Sequence, residues 1–192
     1  MLRTFLIYLS KAAWAQKTIT SWGFARRAAS RFVAGETVSD AIRVVRELNA
    51  KGINSTLDQL GEHTSTAEEA NASADAIVKV LQEIDKAGVK ANVSIKLTQI
   101  GMGLDEETCR QNLVKILEQA KKSANFIRVD MEDTPYTDIT LAMVQSMLER
   151  GFTPNQVGLV QQAYLFRAES DLRGLLNSGA RVFMADIEDA LS

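Results

Sequence analysis

The chain has 192 residues, of which 46% are hydrophobic and 24% charged, and a formal net charge of −2. This is the make-up of one globular domain with a substantial core, not of a disordered tail. Its single cysteine, Cys109, excludes an internal disulfide and fits a reducing compartment, and its single histidine, His63, excludes multi-histidine zinc sites and leaves little room for a Ser-His-Asp triad. Any chemistry therefore falls to carboxylates, lysine or a cofactor, and no metal site is expected. Cys109 itself reads as a helix-borne residue without chemistry.

The charge is unevenly spread, with nine Lys/Arg against three Asp/Glu in residues 1–51 and the acidic excess in the remainder. A basic segment of this kind can approach anionic lipid, but Arg26, Arg27 and Arg31 lack aromatic interleaving and match no nucleic-acid-binding signature. The opening run from Met1 to Leu9 is broken by Ser10-Lys11, and no run approaches membrane-spanning length. The expectation is a cytoplasmic protein, with peripheral contact to the inner membrane through the basic arm, and no nucleic-acid partner.

In chain order, residues 1–34 read as a helical arm, with Phe5, Leu6, Leu9 and Trp14 on one apolar face. Thr37-Val38-Ser39-Asp40 opens a helix that runs to about Ala50 and stops at Lys51-Gly52. Residues 1–52 thus form an arm and lead-in helix, and residues 53–192 the domain proper. There, strands over 54–60, 91–97, 125–131 and 156–163 alternate with helices from Thr66, Asp105, Tyr136 and Ala168, and a fifth strand begins at Ala180. Thr66 and Glu69 have the spacing of a capping box, and Lys121-Lys122 suits a helix C-terminus.

Each of the first four strands ends on a polar or charged residue: Asp58, Lys96, Asp130 and Gln162. Equivalent ends lie 38, 34 and 32 residues apart, a period that suits a βα barrel or a doubly wound sheet. No Gly-x-Gly-x-x-Gly follows any strand, so a dinucleotide-binding sheet lacks its fingerprint. The pattern therefore predicts an α/β fold of (βα)8 TIM-barrel type, incomplete at about five βα units. In such a fold the strand C-termini open onto a common site.

Lys96 in Val93-Ser94-Ile95-Lys96-Leu97 projects into a barrel or near its mouth, where an ammonium needs an anion beside it. It suits an anchor for a substrate carboxylate, and equally a Schiff-base nucleophile. Asp130 and Glu132 are expected on one strand face by period-two alternation, where two carboxylates could divide acid and base roles; Asp133-Thr134-Pro135 is good turn chemistry. Of Gln161 and Gln162, one must face inward and find donors and acceptors, from a heteroaromatic cofactor edge or from backbone.

Taken together, five segments in order resemble the bacterial monofunctional proline dehydrogenases. They are residues 31–37, Leu57-Asp58-Gln59-Leu60-Gly61-Glu62, Ser94-Ile95-Lys96-Leu97-Thr98-Gln99-Ile100-Gly101, Arg128-Val129-Asp130-Met131-Glu132-Asp133 and Val160-Gln161-Gln162-Ala163-Tyr164. The resemblance implies an FAD-binding (βα)8 barrel that oxidises L-proline to Δ1-pyrroline-5-carboxylate and passes electrons to a membrane quinone. It also implies Lys96 as part of the anchor for the proline carboxylate and Asp130 as an active-site carboxylate. Val129 would lie against the cofactor, and Gln162 would hydrogen-bond the flavin ring.

The same resemblance sets a departure. After Gly179-Ala180-Arg181-Val182 the family continues with a flavin-contacting arginine and three further βα units that carry a substrate-clamping arginine pair, whereas here Phe183 leads into an acidic stretch from Asp186 to Asp189. A C-terminal truncation is therefore expected, with little activity from these residues alone and pairing of chains along an open sheet edge. Two rival readings stand beside it: a Schiff-base barrel aldolase or lyase using Lys96, and a non-catalytic half-barrel that binds or dimerises.

Overall fold

In a computed structural model, residues 34–35, 37–61 and 63–185 are described. The expected N-terminal arm and the acidic stretch after Ala185 lie outside them. The chain divides into compact units at residues 1–44 and 45–192, a boundary inside the lead-in helix α1 (Val38–Asn49). In the larger unit the elements alternate strictly: β1 (Ser55–Asp58), α2 (Ala67–Ala87), β2 (Ala91–Ile95), α3 (Glu106–Lys122), β3 (Ile127–Val129), α4 (Thr137–Glu149), β4 (Val157–Gln162), α5 (Ala168–Asn177) and β5 (Arg181–Ala185). All strands pair in parallel, in the order β1-β2-β3-β4-β5.

That order decides between the two architectures left open by the sequence. A doubly wound sheet reverses its strand order at a switch point, whereas here every strand lies beside its sequence neighbour. Successive right-handed crossovers then put the helices on one face of the sheet. The other face is the one a barrel would turn inward.

Burial follows this division. Val93, Ile95, Ile127, Val129, Val157 and Leu159 are all buried, and by register they lie on one face: Val93 beside Ile127 and Ile127 beside Val157. The alternate positions Thr56 and Asp58 are exposed, and Lys96, Arg128, Asp130, Val160 and Gln162 are half-buried. The strands are shorter than expected: Lys96 and Asp130 lie one residue beyond the ends of β2 and β3, whereas Asp58 and Gln162 are still in the ladder, paired with Ser94 and Ala185.

The helices close over the apolar face with residues spaced three and four apart. In α2 these are Ala70, Ala74, Ile77, Leu81 and Ile84, and in α3 Cys109, Leu113, Ile116, Leu117 and Ala120. Thr66 caps α2 by accepting from the Glu69 N–H at 3.2 Å, while the Glu69 carboxylate accepts from the Ser65 N–H at 2.8 Å. The box thus reaches one residue further back than the usual reciprocal pair. Asp105 caps α3 through the Thr108 N–H and hydroxyl, at 2.8 and 2.6 Å, and these bonds hold its carboxyl below its ordinary range. The Asn49 amide bonds Ile53 O, Lys90 O and Lys90 N, pinning the entrances of β1 and β2 together.

Gly158 on β4 is a packing requirement. A Cβ there would stand 2.5 Å from Arg181 O and 2.9 Å from the Phe126 ring. The absent side chain lets Phe126 lie against Phe183, 5.7 Å between centroids, with the Arg181 guanidinium 4.4 Å above the Phe126 ring. Gly158→Ala must push the β4 and β5 backbones apart and is expected to destabilise by about 2 kcal/mol. Gly174→Ala in α5, where nothing lies within 4 Å of the new methyl, should stabilise by up to about 1 kcal/mol. Urea unfolding of the two variants, with opposite shifts of midpoint, checks the contrast.

Candidate active site

The β2–β3 register places Ile95 beside Val129, so the next residues, Lys96 and Asp130, leave the sheet side by side on the face away from the helices. Asp58 lies on the same face of β1, because it pairs with Ser94. Its carboxylate stands 3.4 Å from the Lys96 ammonium. Asp58, for which sequence reasoning offers no role, is therefore a charge partner of Lys96. A lysine ion-paired in this way suits an anion anchor.

Asp130 is held from two sides. Its Oδ1 accepts from Arg128 Nε at 3.0 Å, its Oδ2 accepts from the Ser94 hydroxyl, and Arg128 Nη2 donates to Ser94 Oγ at 3.3 Å. Neither Ser94 nor Arg128 is assigned a role by the sequence motifs, yet the period of two marks both. Ser94 precedes Lys96 by two residues and Arg128 precedes Asp130 by two, so each shares its neighbour's face.

Glu132 departs from expectation. β3 ends at Val129, so alternation no longer governs Glu132, and its carboxylate turns to the loop after β2. There it accepts from the Thr98 N–H at 3.0 Å and from the Thr98 hydroxyl. Thr98 O in turn accepts from Thr64 N–H at 3.3 Å, and the buried Gln99 donates to Gln59 O at 3.1 Å. The loops that follow β1, β2 and β3 are thus tied into one layer. Asp133 starts the turn into α4, its carbonyl accepting from Tyr136 N–H at 2.8 Å.

The two glutamines separate. Gln162 lies on the open face of β4, where its Oε1 accepts from the Tyr164 hydroxyl at 3.2 Å, leaving its NH₂ to donate elsewhere. Gln161 points the other way, fully buried with neither amide atom bonded. Val129 also points away: its side chain is fully buried on the helix-covered face beside Ile95 and Leu159. Alternation turns the Val129 side chain from the face that carries Asp130, so this position reaches that face through its backbone. The structure thus brings together Asp58, Lys96 and Asp130, places Gln162 on the same face, and excludes the Val129 side chain.

The family model described as proline dehydrogenase matches residues 41–182. The chain belongs to the proline dehydrogenase family. It is 36% identical over 176 residues to proline dehydrogenase 1 of Bacillus subtilis (strain 168), covering 90% of this chain and 56% of that relative. Against the proline dehydrogenase of Deinococcus radiodurans it is 37% identical over 150 residues, covering 77% of this chain and 48% of the relative. The chain therefore spans about half the length of the curated relatives it matches. Among solved structures, proline utilization A from Bdellovibrio bacteriovorus superposes with a TM-score of 0.76 at 19% identity, over 90% of this chain and 21% of that one. Proline utilization A from Bradyrhizobium japonicum gives 0.61 at 21% identity, over 79% and 17%. These likenesses fix the fold as TIM-barrel type, of which the described residues hold five parallel strands.

Beneath the tied loops lies Cys109, fully buried, its Sγ 3.7 Å from Leu97 O. Burial, and then the nearby Glu132 carboxylate, push its thiol up to about 12 from 9.0. The unfolded chain can ionise this thiol where the folded one cannot, so the stability linked to it is fully present below pH 9 and is lost between about pH 9 and 12. Unfolding free energies across that window should fall less steeply for Cys109→Ala than for the unchanged chain, and native Cys109 should resist thiol reagents until urea exposes it.

Proposed function

We propose that the open strand-end face is the flavin- and substrate-facing wall of an enzyme that oxidises L-proline to Δ1-pyrroline-5-carboxylate. The observation that carries this reading is the juxtaposition of Lys96 and Asp130 at adjacent strand ends. A proline zwitterion carries a carboxylate and a secondary ammonium, and the wall offers a cation and an anion in neighbouring places. Lys96, steadied by Asp58, anchors the carboxylate; Asp130 faces the ammonium end and orients the ring.

The residues present fit FAD as the cofactor. With its oxygen engaged by Tyr164, Gln162 turns NH₂ donors toward any ring acceptor. The neighbouring position on the same face of β4, the half-buried Val160, offers an apolar side chain to a flat ring. When bound, FAD would supply the acceptor for a hydride from the ring carbon beside the nitrogen, and the chain's own part would be binding, orientation and exclusion of water. Val129 contributes through its backbone. A membrane quinone as the eventual electron acceptor agrees with the basic N-terminal segment, which would bring a cytoplasmic protein to an anionic membrane. Among the described residues no helix is long and apolar enough to cross one.

In the flavin-loaded protein that carries these residues, L-proline should bleach the flavin absorbance anaerobically. Lys96→Met should raise KM for L-proline about 100-fold, the loss of one charge-assisted anchor. Gln162→Ala should weaken FAD binding about tenfold, read by quenching of flavin fluorescence. A protein that holds FAD through these residues but is not reduced by L-proline would contradict the substrate assignment.

A further inference from the structure

Arg128, Ser94 and Asp130 form a closed ring of hydrogen bonds across β2 and β3. Arg128 donates through Nε to Asp130 Oδ1 and through Nη2 to Ser94 Oγ, at 3.0 and 3.3 Å, and Ser94 donates its hydroxyl to Asp130 Oδ2. A hydroxyl has one proton. Because Ser94 Oγ accepts from a guanidinium, which can only donate, that proton must go to Asp130. Donation therefore runs from Arg128 along both arms and converges on Asp130, and both carboxylate oxygens take part. The Asp130 backbone is fixed independently, its N–H donating to Ile95 O at 2.9 Å.

We infer that Arg128 and Ser94 are positioning residues that hold the Asp130 carboxylate in a single orientation, as an anion turned toward the ammonium of a bound amino acid. Neither residue needs to touch substrate. With each oxygen already accepting from the protein, Asp130 serves as a fixed negative charge and hydrogen-bond acceptor, its remaining lone pairs facing the open side of the sheet. Arg128 supplies what a lysine cannot, since a planar fork reaches two acceptors at once while an ammonium is a point charge on a flexible stem. The second half of the inference rests on the proline-oxidising reading; the first half rests on the ring alone.

The test has two arms. In the 192-residue chain, three-bond couplings to the Asp130 β protons read its rotamer. The unchanged chain should show one rotamer, Ser94→Ala partial averaging, and Arg128→Met full averaging, while circular dichroism confirms that each variant is folded. In the flavin-loaded protein that carries these residues, Arg128→Met should lower kcat about tenfold and leave KM for L-proline within about twofold. Arg128→Lys should recover little of the loss, and added ethylguanidinium should restore part of kcat in Arg128→Ala. A single Asp130 rotamer retained in folded Arg128→Met overturns the inference, as does full recovery by Arg128→Lys. Averaging in the chain with no proline oxidation by the unchanged protein leaves the positioning intact and overturns the function reading instead.

Discussion

The parallel register between β2 and β3 is the constraint on which the rest depends. With Ile95 beside Val129, the period of two assigns every other residue of both strands to a face. Ser94, Lys96, Arg128 and Asp130 fall together, and Val93, Ile95, Ile127 and Val129 fall under the helices. A slip of one residue would bury two or three charged groups beneath α2 and α3, at several kcal/mol each. The apolar face thus enforces the polar one. The site charges need no specification of their own beyond occupying the alternate positions.

The loops add a second level of control. Glu132 joins the end of β3 to Thr98, Thr98 joins the loop after β2 to Thr64, and Gln99 reaches Gln59 behind β1. Strand ends are where a βα fold places its chemistry and also where the ladder stops fixing the backbone. A layer of side-chain bonds there does for the loops what the sheet does for the strands. It also accounts for two acidic residues close together in sequence, Asp130 and Glu132, with unlike duties: one presented to the open face, the other consumed in holding a turn.

Much of this was legible in the residues. The alternation of elements, the helix cap at Thr66, the helix start at Asp105, and the four polar strand ends follow from local chemistry and spacing. So does the family, through five short segments in order. What could not be read has a common cause. The roles of Ser94, Arg128 and Asp58 depend on which strand lies beside which and in what register, and neighbours 34 to 38 residues apart leave no trace in local pattern. The face that the Val129 side chain takes was hidden for a related reason: its place in a motif says nothing of its face until the register is known. Glu132 misled because alternation was carried three residues past the end of a short strand.

The most direct test of the account is the register itself, read by two thiols in a Cys109→Ala background. Lys96→Cys with Asp130→Cys should place two thiols on one face at neighbouring strand ends, about 5 Å apart between backbones. Dibromobimane, which fluoresces once it has alkylated two adjacent thiols, should then light up in the folded chain. Lys96→Cys with Val129→Cys, whose thiols lie on opposite faces, should stay dark. Fluorescence from the second pair and none from the first would mean that Lys96 and Asp130 do not share a face, and the site built on them would fall.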